Sequence, residues 1–195
     1  MSLIGGADAA YSKKKNLIFG SIAVLSHPDM NLMETATAYG EVSFPYIPGL
    51  FSFREGPILI EAFQKVKVKP DMMIFEGQGI AHPKGFGLAS HLGLWIDLPS
   101  VGCAKMPLIG PSVSLDRPGT SKGSFGWIRQ EGKVVGASLR TKAGVKPLYV
   151  SPGHRIDLET SIQIIFSLCI KFRIPEPLRK AHQASRLMRE TFNDG

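Results

Sequence analysis

Three acidic residues stand in stretches of sequence that are otherwise apolar. Asp8 interrupts the run "LIGGADAAY", Glu76 follows the run "DMMIF", and Glu55 lies inside "FSFREGPILIEAF". A carboxylate is costly to bury unless it is paired or bound to a metal ion. Carboxylate oxygens are also ligands that Mg²⁺ takes, together with waters and substrate phosphate. The three acids therefore indicate a candidate metal site, although one such acid alone is more often exposed or ion-paired.

Two further side chains could take part in the same chemistry. Lys105 ends the apolar run "VGCAK" and could neutralise charge that develops on a phosphate. The alternative is an ordinary lysine whose stem covers a strand end. His154, in "SPGHRI", is predicted in a turn before a helix and could transfer a proton or orient a water. The alternative for His154 is a capping or surface histidine.

The segment "FPYIPGLFSF" predicts a stiff loop that exposes an aromatic side chain. Pro45 and Pro48 bracket Tyr46 and Ile47, and Gly49 follows directly. Prolines restrict the backbone, so little further entropy is lost when the loop binds. We interpret the loop as a contact for nucleic acid, because an aromatic ring can stack on exposed bases.

A glycine-rich segment, "FEGQGIAHPKGFG", follows the predicted strand that carries Glu76. It lacks the third glycine of the dinucleotide-binding fingerprint at the required position, so that class of site is excluded. Gly77 and Gly79 could instead let the backbone approach a flat ligand closely. Simple turn formation is the alternative.

Positive charge is concentrated in one part of the chain. The net charge is +7, and residues 105–155 contain nine Lys or Arg against two Asp or Glu, which alone gives +7. Basic clusters bind polyanions by releasing the counterions of phosphates. The distribution indicates a nucleic-acid partner, with a solvated basic face as the alternative.

The composition fits one globular domain over residues 1–195, with 44% hydrophobic and 20% charged residues. Cys103 and Cys169 are too few for a disulfide framework and lie in apolar runs, which predicts buried free thiols in a reducing compartment. No segment approaches the roughly 20 apolar residues of a membrane span. We therefore expect a soluble cytoplasmic protein without a membrane partner.

Runs of β-branched and aromatic residues predict an antiparallel meander at the start of the chain. Its strands are expected at 3–11, 16–26 and 30–43. The elements predicted after it are a helix at 51–67, a strand at 71–77, a helix at 87–97, a strand at 99–105, a loop at 110–124, a hairpin at 125–141 turning at Glu131-Gly132, a strand at 147–154 and helices at 157–172 and 176–192. Pro57 is expected in the first turn of its helix. The order predicts an α/β fold, a ribonuclease H-like mixed β-sheet flanked by helices.

Five longer stretches together closely resemble the Endonuclease V family. They are "FPYIPGLFSFREGP", "FEGQGIAHPKGFGLASHLGL", "LPSVGCAK", "RTKAGVKPLYVSPGHRIDLET" and "RIPEPLRKAH". The similarity extends from about residue 3 to about residue 182. It implies a ribonuclease H-like nuclease that recognises hypoxanthine in deoxyinosine or inosine. It also implies cleavage at the second phosphodiester bond on the 3′ side, with Mg²⁺ or Mn²⁺ as cofactor.

The resemblance also implies roles for single residues. Asp8 matches the first metal-binding aspartate, Glu55 the catalytic glutamate, Lys105 the lysine near the scissile phosphate, and His154 the active-site histidine. Asp8, Glu55 and Glu76 are the predicted metal ligands. "PYIP" matches a wedge loop in which Tyr46 takes the place of the displaced base. The predicted nucleic-acid contacts are Pro45, Tyr46, Ile47, Pro48, Gly49, Gly77, Gly79 and His82.

Two departures from the family pattern leave alternatives open. Glu76 stands where relatives usually have aspartate, and the helical segment that usually precedes the first strand is expected to be absent. Because Mg²⁺ demands near-ideal geometry, the longer side chain could lower activity or favour Mn²⁺. A non-cleaving module that binds deaminated or distorted nucleic acid is the main alternative, and a hydrolase of other nucleic-acid structures is a third. The sequence favours a monomer and leaves DNA or RNA open as the substrate.

Overall fold

The computed structural model describes residues 2–12, 14–108, 110 and 112–193. Within these residues it contains nine strands, β1 Leu3–Ser12, β2 Leu17–Ser26, β3 Leu32–Glu41, β4 Met72–Phe75, β5 Ser100–Ala104, β6 Val113–Leu115, β7 Phe125–Gln130, β8 Lys133–Leu139 and β9 Leu148–His154. The helices of the same residues are α1 Phe51–Gln64, α2 Leu88–Ile96, α3 Leu158–Leu168 and α4 Glu176–Asn193. The predicted class, an α/β fold with a mixed sheet and flanking helices, is confirmed.

Most predicted elements are found within a few residues of their expected bounds. The meander is confirmed, and the hairpin of β7 and β8 turns at Glu131 and Gly132, which both have positive φ. Three details differ. Strand β6 lies in the segment 110–124 that was expected to be a loop, and α3 ends at Leu168 rather than near residue 172. Pro57 lies in the second turn of α1, not the first, because the helix already begins at Phe51.

The chain divides into two compact units, Met1–Ile74 with Pro177–Gly195, and Phe75–Glu176. The expectation of one domain over residues 1–195 stays a prediction. No helix in the described part of the chain is both long and apolar enough for a bilayer span.

In the first unit, the meander carries a helix on each face. Strands pair in the order β3-β2-β1-β4, and Asp8 of β1 lies opposite Ser21 of β2. Gly20 packs against the backbone of Ile58 in α1, whereas the Ser21 hydroxyl donates to the carbonyl of Ala181 in α4. Adjacent residues of a strand point to opposite faces. Helices α1 and α4 therefore cover opposite faces of this sheet.

In the second unit, strands β5-β9-β8-β7-β6 form an antiparallel series. Cys103 of β5 and Cys169 after α3 are free and buried, as predicted. Burial raises the pKa of the Cys169 thiol to about 12 and raises that of Cys103 well above its usual value. Both thiols are therefore protonated at neutral pH and serve as small apolar groups in the core.

Candidate active site

Asp8 is a buried carboxylate held by two side chains of α4. It lies in β1 and is 6% exposed. The Ser185 hydroxyl donates to Oδ2 at 2.7 Å, and His182 Nδ1 lies 3.2 Å from the same oxygen. Hydrogen bonds to a carboxylate favour its charged form and fix its orientation. Asp8 is thus a buried carboxylate held in a fixed orientation.

Helix α4 presents these side chains because of its spacing and its close approach to β1. Leu178, Ala181 and Ser185 recur at helical intervals and are buried, and His182 lies beside them. A Cβ at Gly6 would lie 2.2 Å from the carbonyl carbon of Pro177. Only glycine at position 6 lets the start of α4 come this near to the strand.

Glu55 is the second buried acid of the first unit, and Tyr11 holds it. Glu55 is 5% exposed, and the Tyr11 hydroxyl donates to its Oε1 at 3.0 Å. The Arg54 guanidinium lies 5.0 Å from the centre of the Tyr11 ring. Burial, followed by the charge of Glu55, raises the pKa of Tyr11 far above its usual value. The phenol therefore keeps its proton and remains a donor to the carboxylate.

The hydrogen-bond partners of Asp8 and Glu55 lie on opposite faces of β1. Asp8 and Tyr11 are three residues apart in the strand, so their side chains point to opposite faces. Asp8 meets α4, while Tyr11 meets Glu55 of α1. The prediction that Glu55 is a metal ligand stays a prediction.

Glu76 and Lys105 form an ion pair in the second unit, so the structure brings together two of the predicted catalytic residues. Each follows directly on a buried strand, and Lys105 Nζ lies 2.7 Å from Glu76 Oε2. The side chains are 25% and 37% exposed. Arg173 donates to the carbonyl of Lys105 at 3.1 Å, and Gln78 donates to that of Met106 at 3.1 Å. These bonds fix the backbone at Lys105 and at the residue after it.

His154 is located elsewhere in the second unit. It is the last residue of β9 rather than part of a turn, and it pairs with Ser100 at the start of β5. Lys105 follows the other end of β5, five residues away, which is roughly 17 Å along a strand. The His154 ring instead lies 3.3 Å from Asp97, the residue that caps the end of α2. The structure therefore does not bring His154 to the Glu76–Lys105 pair.

The predicted wedge loop, Pro45–Gly49, exposes its aromatic side chain as predicted. Tyr46 is 66% and Ile47 is 41% exposed. Gly49 has φ +80°, a conformation that favours glycine, and the turn is closed by a bond from Leu50 N to the carbonyl of Ile47. Arg54 of α1 donates to the carbonyl of Phe44 and so ties the loop to the helix. The aromatic side chain is presented on a supported loop.

The glycine loop, residues 76–87, packs tightly within the second unit. Gly79 N–H donates to Ser151 Oγ at 2.8 Å, and a Cβ at Gly79 would lie 1.9 Å from the carbonyl oxygen of Pro152. His82 is 6% exposed, and its Nδ1 accepts from Lys84 N–H at 3.2 Å. Gly79 is thus required for close packing on β9. The prediction that Gly77, Gly79 and His82 contact a base stays a prediction.

Sequence reasoning missed His182, Ser185 and Tyr11. His182 closes the motif "RIPEPLRKAH", and a helical plot of α4 puts Ser185 on the apolar stripe, so both carried a signal. Tyr11 meets a residue 44 positions away, a contact that no local pattern encodes.

The donor set fits a divalent cation. Asp8 and His182 offer a carboxylate and an imidazole in the first unit, and Glu76 offers a carboxylate in the second. Oxygen donors suit Mg²⁺ and Mn²⁺, and imidazole is a better ligand for Mn²⁺ than for Mg²⁺. The buried charge of Asp8 is the kind that a bound cation compensates.

Comparisons with known proteins agree over nearly the whole chain. The family model described as Endonuclease V matches residues 1–183. Endonuclease V of Dictyoglomus turgidum (strain DSM 6724 / Z-1310) is 49% identical over 192 residues, which cover 98% of this chain and 82% of that protein. The crystal structure of Endonuclease V from Streptomyces avermitilis has a TM-score of 0.91 at 39% identity, covering 98% of this chain and 82% of that one.

A structure with bound nucleic acid is also similar. It is Ciona intestinalis Endonuclease V in complex with a 24mer DNA containing an inosine followed by a ribo-adenosine. The TM-score is 0.86 at 27% identity, covering 98% of this chain and 87% of that one. The resemblance seen in the sequence is confirmed by the family match and by the identity to relatives named Endonuclease V. The chain therefore belongs to the Endonuclease V family and is a nuclease.

Proposed function

We propose that this nuclease cuts nucleic acid beside deaminated adenine, at the second phosphodiester bond 3′ to deoxyinosine or inosine. The observation that carries the proposal is the buried, oriented Asp8 carboxylate in a chain of the Endonuclease V family. A similar protein crystallised with inosine-containing DNA supports the choice of substrate. The excess of positive charge in residues 105–155 supports a polyanionic partner.

Asp8 and His182 of the first unit would hold a divalent cation, Mg²⁺ with Mn²⁺ as the alternative, and Glu76 stays a predicted ligand. Such an ion, when bound, polarises a phosphate and lowers the pKa of an attacking water. Ser185 keeps the Asp8 carboxylate oriented by its hydrogen bond to Oδ2. The donor chemistry of these side chains and the family membership support the assignment.

The other polar residues act on the phosphate and on the water. Lys105 places a positive charge where negative charge develops on the phosphate oxygens. Glu55, oriented by Tyr11, positions the attacking water or a second ion. Proton transfer by His154 remains a prediction and requires a substrate group near Asp97.

Tyr46 would enter the base stack when the damaged nucleotide is extruded. Its exposed ring on a supported loop suits stacking, which is worth about 1–3 kcal/mol per base. This gain offsets part of the few kcal/mol that extrusion costs. A mispaired hypoxanthine unstacks more readily than a paired base, which favours damaged sites.

Substitution of Tyr46 tests the wedge. Tyr46→Ala is expected to lower kcat/KM on an inosine-containing duplex by about tenfold or more, because the stacking energy is lost. Tyr46→Phe is the matched control, since it keeps the ring, and it should stay near the wild-type value. Equal activity of the alanine variant and the wild type in steady-state cleavage would refute the wedge role.

Glu76→Asp tests the metal assignment of Glu76. The shorter carboxylate is the residue that the family resemblance implies at this position, so the ratio of the Mg²⁺-supported rate to the Mn²⁺-supported rate should rise several-fold. Glu159→Asp, an exposed glutamate of the same unit, is the control. An unchanged rate ratio would show that Glu76 does not contact the ion.

The alternative of a non-cleaving binding module conflicts with the nuclease family to which the chain belongs. Cleavage assays in Mg²⁺ and then Mn²⁺, on matched DNA and RNA strands with one inosine, test the proposed substrate and metal. Product in either metal supports the proposed function, and tight binding without product would contradict it. The same assays determine whether DNA or RNA is preferred.

A further inference from the structure

A cavity adjoins the wedge loop within the first unit. Its volume is about 520 Å³. The residues that line it are Tyr11, Ser12, Asn16, Val42, Tyr46, Phe51 and Arg54. This size lies within the range of about 300–1,000 Å³ that is usual for ligand pockets. Tyr46, the proposed wedge, forms part of its wall.

Contacts between its walls hold the cavity open. Val42 N–H donates to the carbonyl of Asn16 at 2.9 Å, which joins the two loops that border it. The ring of Tyr46 meets that of Phe51 edge-on, with centroids 6.3 Å apart. Arg54 ties the wedge loop to α1. The cavity is therefore formed before any ligand arrives.

The chemistry of the lining suits a flat aromatic ligand with a polar edge. Tyr11, Tyr46 and Phe51 provide rings, while Asn16 provides an amide that can pair with the edge of a base. The Arg54 guanidinium is already engaged by a carbonyl and by the Tyr11 ring, so it is poorly placed to bind a free phosphate. A nucleobase fits this set of groups better than a phosphate does.

We propose that this cavity is a subsite for the base of the complementary strand that loses its partner when the damaged nucleotide is extruded. The inference rests on the proposed function, in which Tyr46 enters the duplex. Extrusion leaves one base without hydrogen bonds opposite the wedge. A cavity that shares the Tyr46 ring can receive that base and stack it between aromatic walls.

Val42→Trp tests the subsite by filling it. Val42 is partly exposed, lies outside the proposed catalytic and wedge residues, and lines the cavity. Three substrates are compared: an inosine duplex, the same duplex with an abasic position opposite the inosine, and the single inosine strand. Cleavage of the first should fall about tenfold, whereas the other two should be cut as by the wild type, because neither has an orphaned base.

A second readout does not depend on cleavage. With 2-aminopurine opposite the inosine, binding of the wild type should quench its fluorescence, and Val42→Trp should abolish the quenching. Leu32→Trp, at an exposed position of β3, is the control for the added ring. Equal losses on all three substrates, or unchanged cleavage and quenching in a folded variant, would overturn the subsite. Failure of the wild type to cut any of the three inosine substrates would instead overturn the proposed function.

Discussion

Asp8→Asn is expected to lower the cleavage rate by about a thousandfold or more, with nucleic-acid binding largely retained. Asparagine has the same size and keeps an oxygen for the Ser185 hydroxyl, but it lacks the charge that a divalent ion requires. Single-turnover cleavage of an inosine strand measures the rate. Fluorescence polarisation in the presence of EDTA measures binding without cleavage.

The control for this variant is Asp29→Asn, which removes an exposed acid from the turn after β2. It changes the net charge equally and should leave the rate unchanged. Thermal unfolding should give closely similar Tm values for both variants. If Asp8→Asn still nicks inosine strands at the wild-type rate, Asp8 has no role in holding the ion and the mechanism proposed above is wrong.

Glu55→Gln is expected to lower kcat by about a hundredfold with little change in KM. The amide oxygen can still accept the Tyr11 hydroxyl, whose raised pKa keeps it a donor, so the local packing is retained. The variant loses the negative charge that orients a water or a second ion. Positioned acid–base groups of this kind raise the reaction rate by about 10²–10⁴-fold. Steady-state kinetics separate kcat from KM.

Glu61→Gln is the matched control on the same helix. Glu61 is half exposed and pairs with Lys65 one turn later, an interaction worth little at a surface. Its removal should leave both kinetic constants near the wild-type values. Should Glu55→Gln lower Tm strongly while kcat stays unchanged, Glu55 would be a structural acid that supports Tyr11, not a catalytic residue.

Much of the fold could be predicted because the chain carries strong local signals. Alternating and β-branched runs predict the meander, and Glu131-Gly132 predicts the hairpin turn. Strand β6 has three residues and depends on pairing with β7, so no periodicity reveals it. The start of α1 was predicted correctly at residue 51, but Pro57, which is typical of a first turn, lies in the second.

The candidate site was predictable where residues follow buried strands. Glu76 and Lys105 each follow such a strand directly, and in the structure they form an ion pair. The partners of Asp8 are 174 and 177 residues away, and their meeting depends on how α4 packs. His154 was chosen from its motif alone, since the pairing register that puts it near Asp97 cannot be read from the sequence.

The discontinuous first unit has a consequence for the timing of activity during synthesis. Asp8 leaves the ribosome early, whereas α4, which supplies Ser185 and His182, is made after every other described element. Until then the carboxylate lacks the two neighbours that orient it. A nascent chain without α4 is therefore expected to lack the assembled Asp8 site.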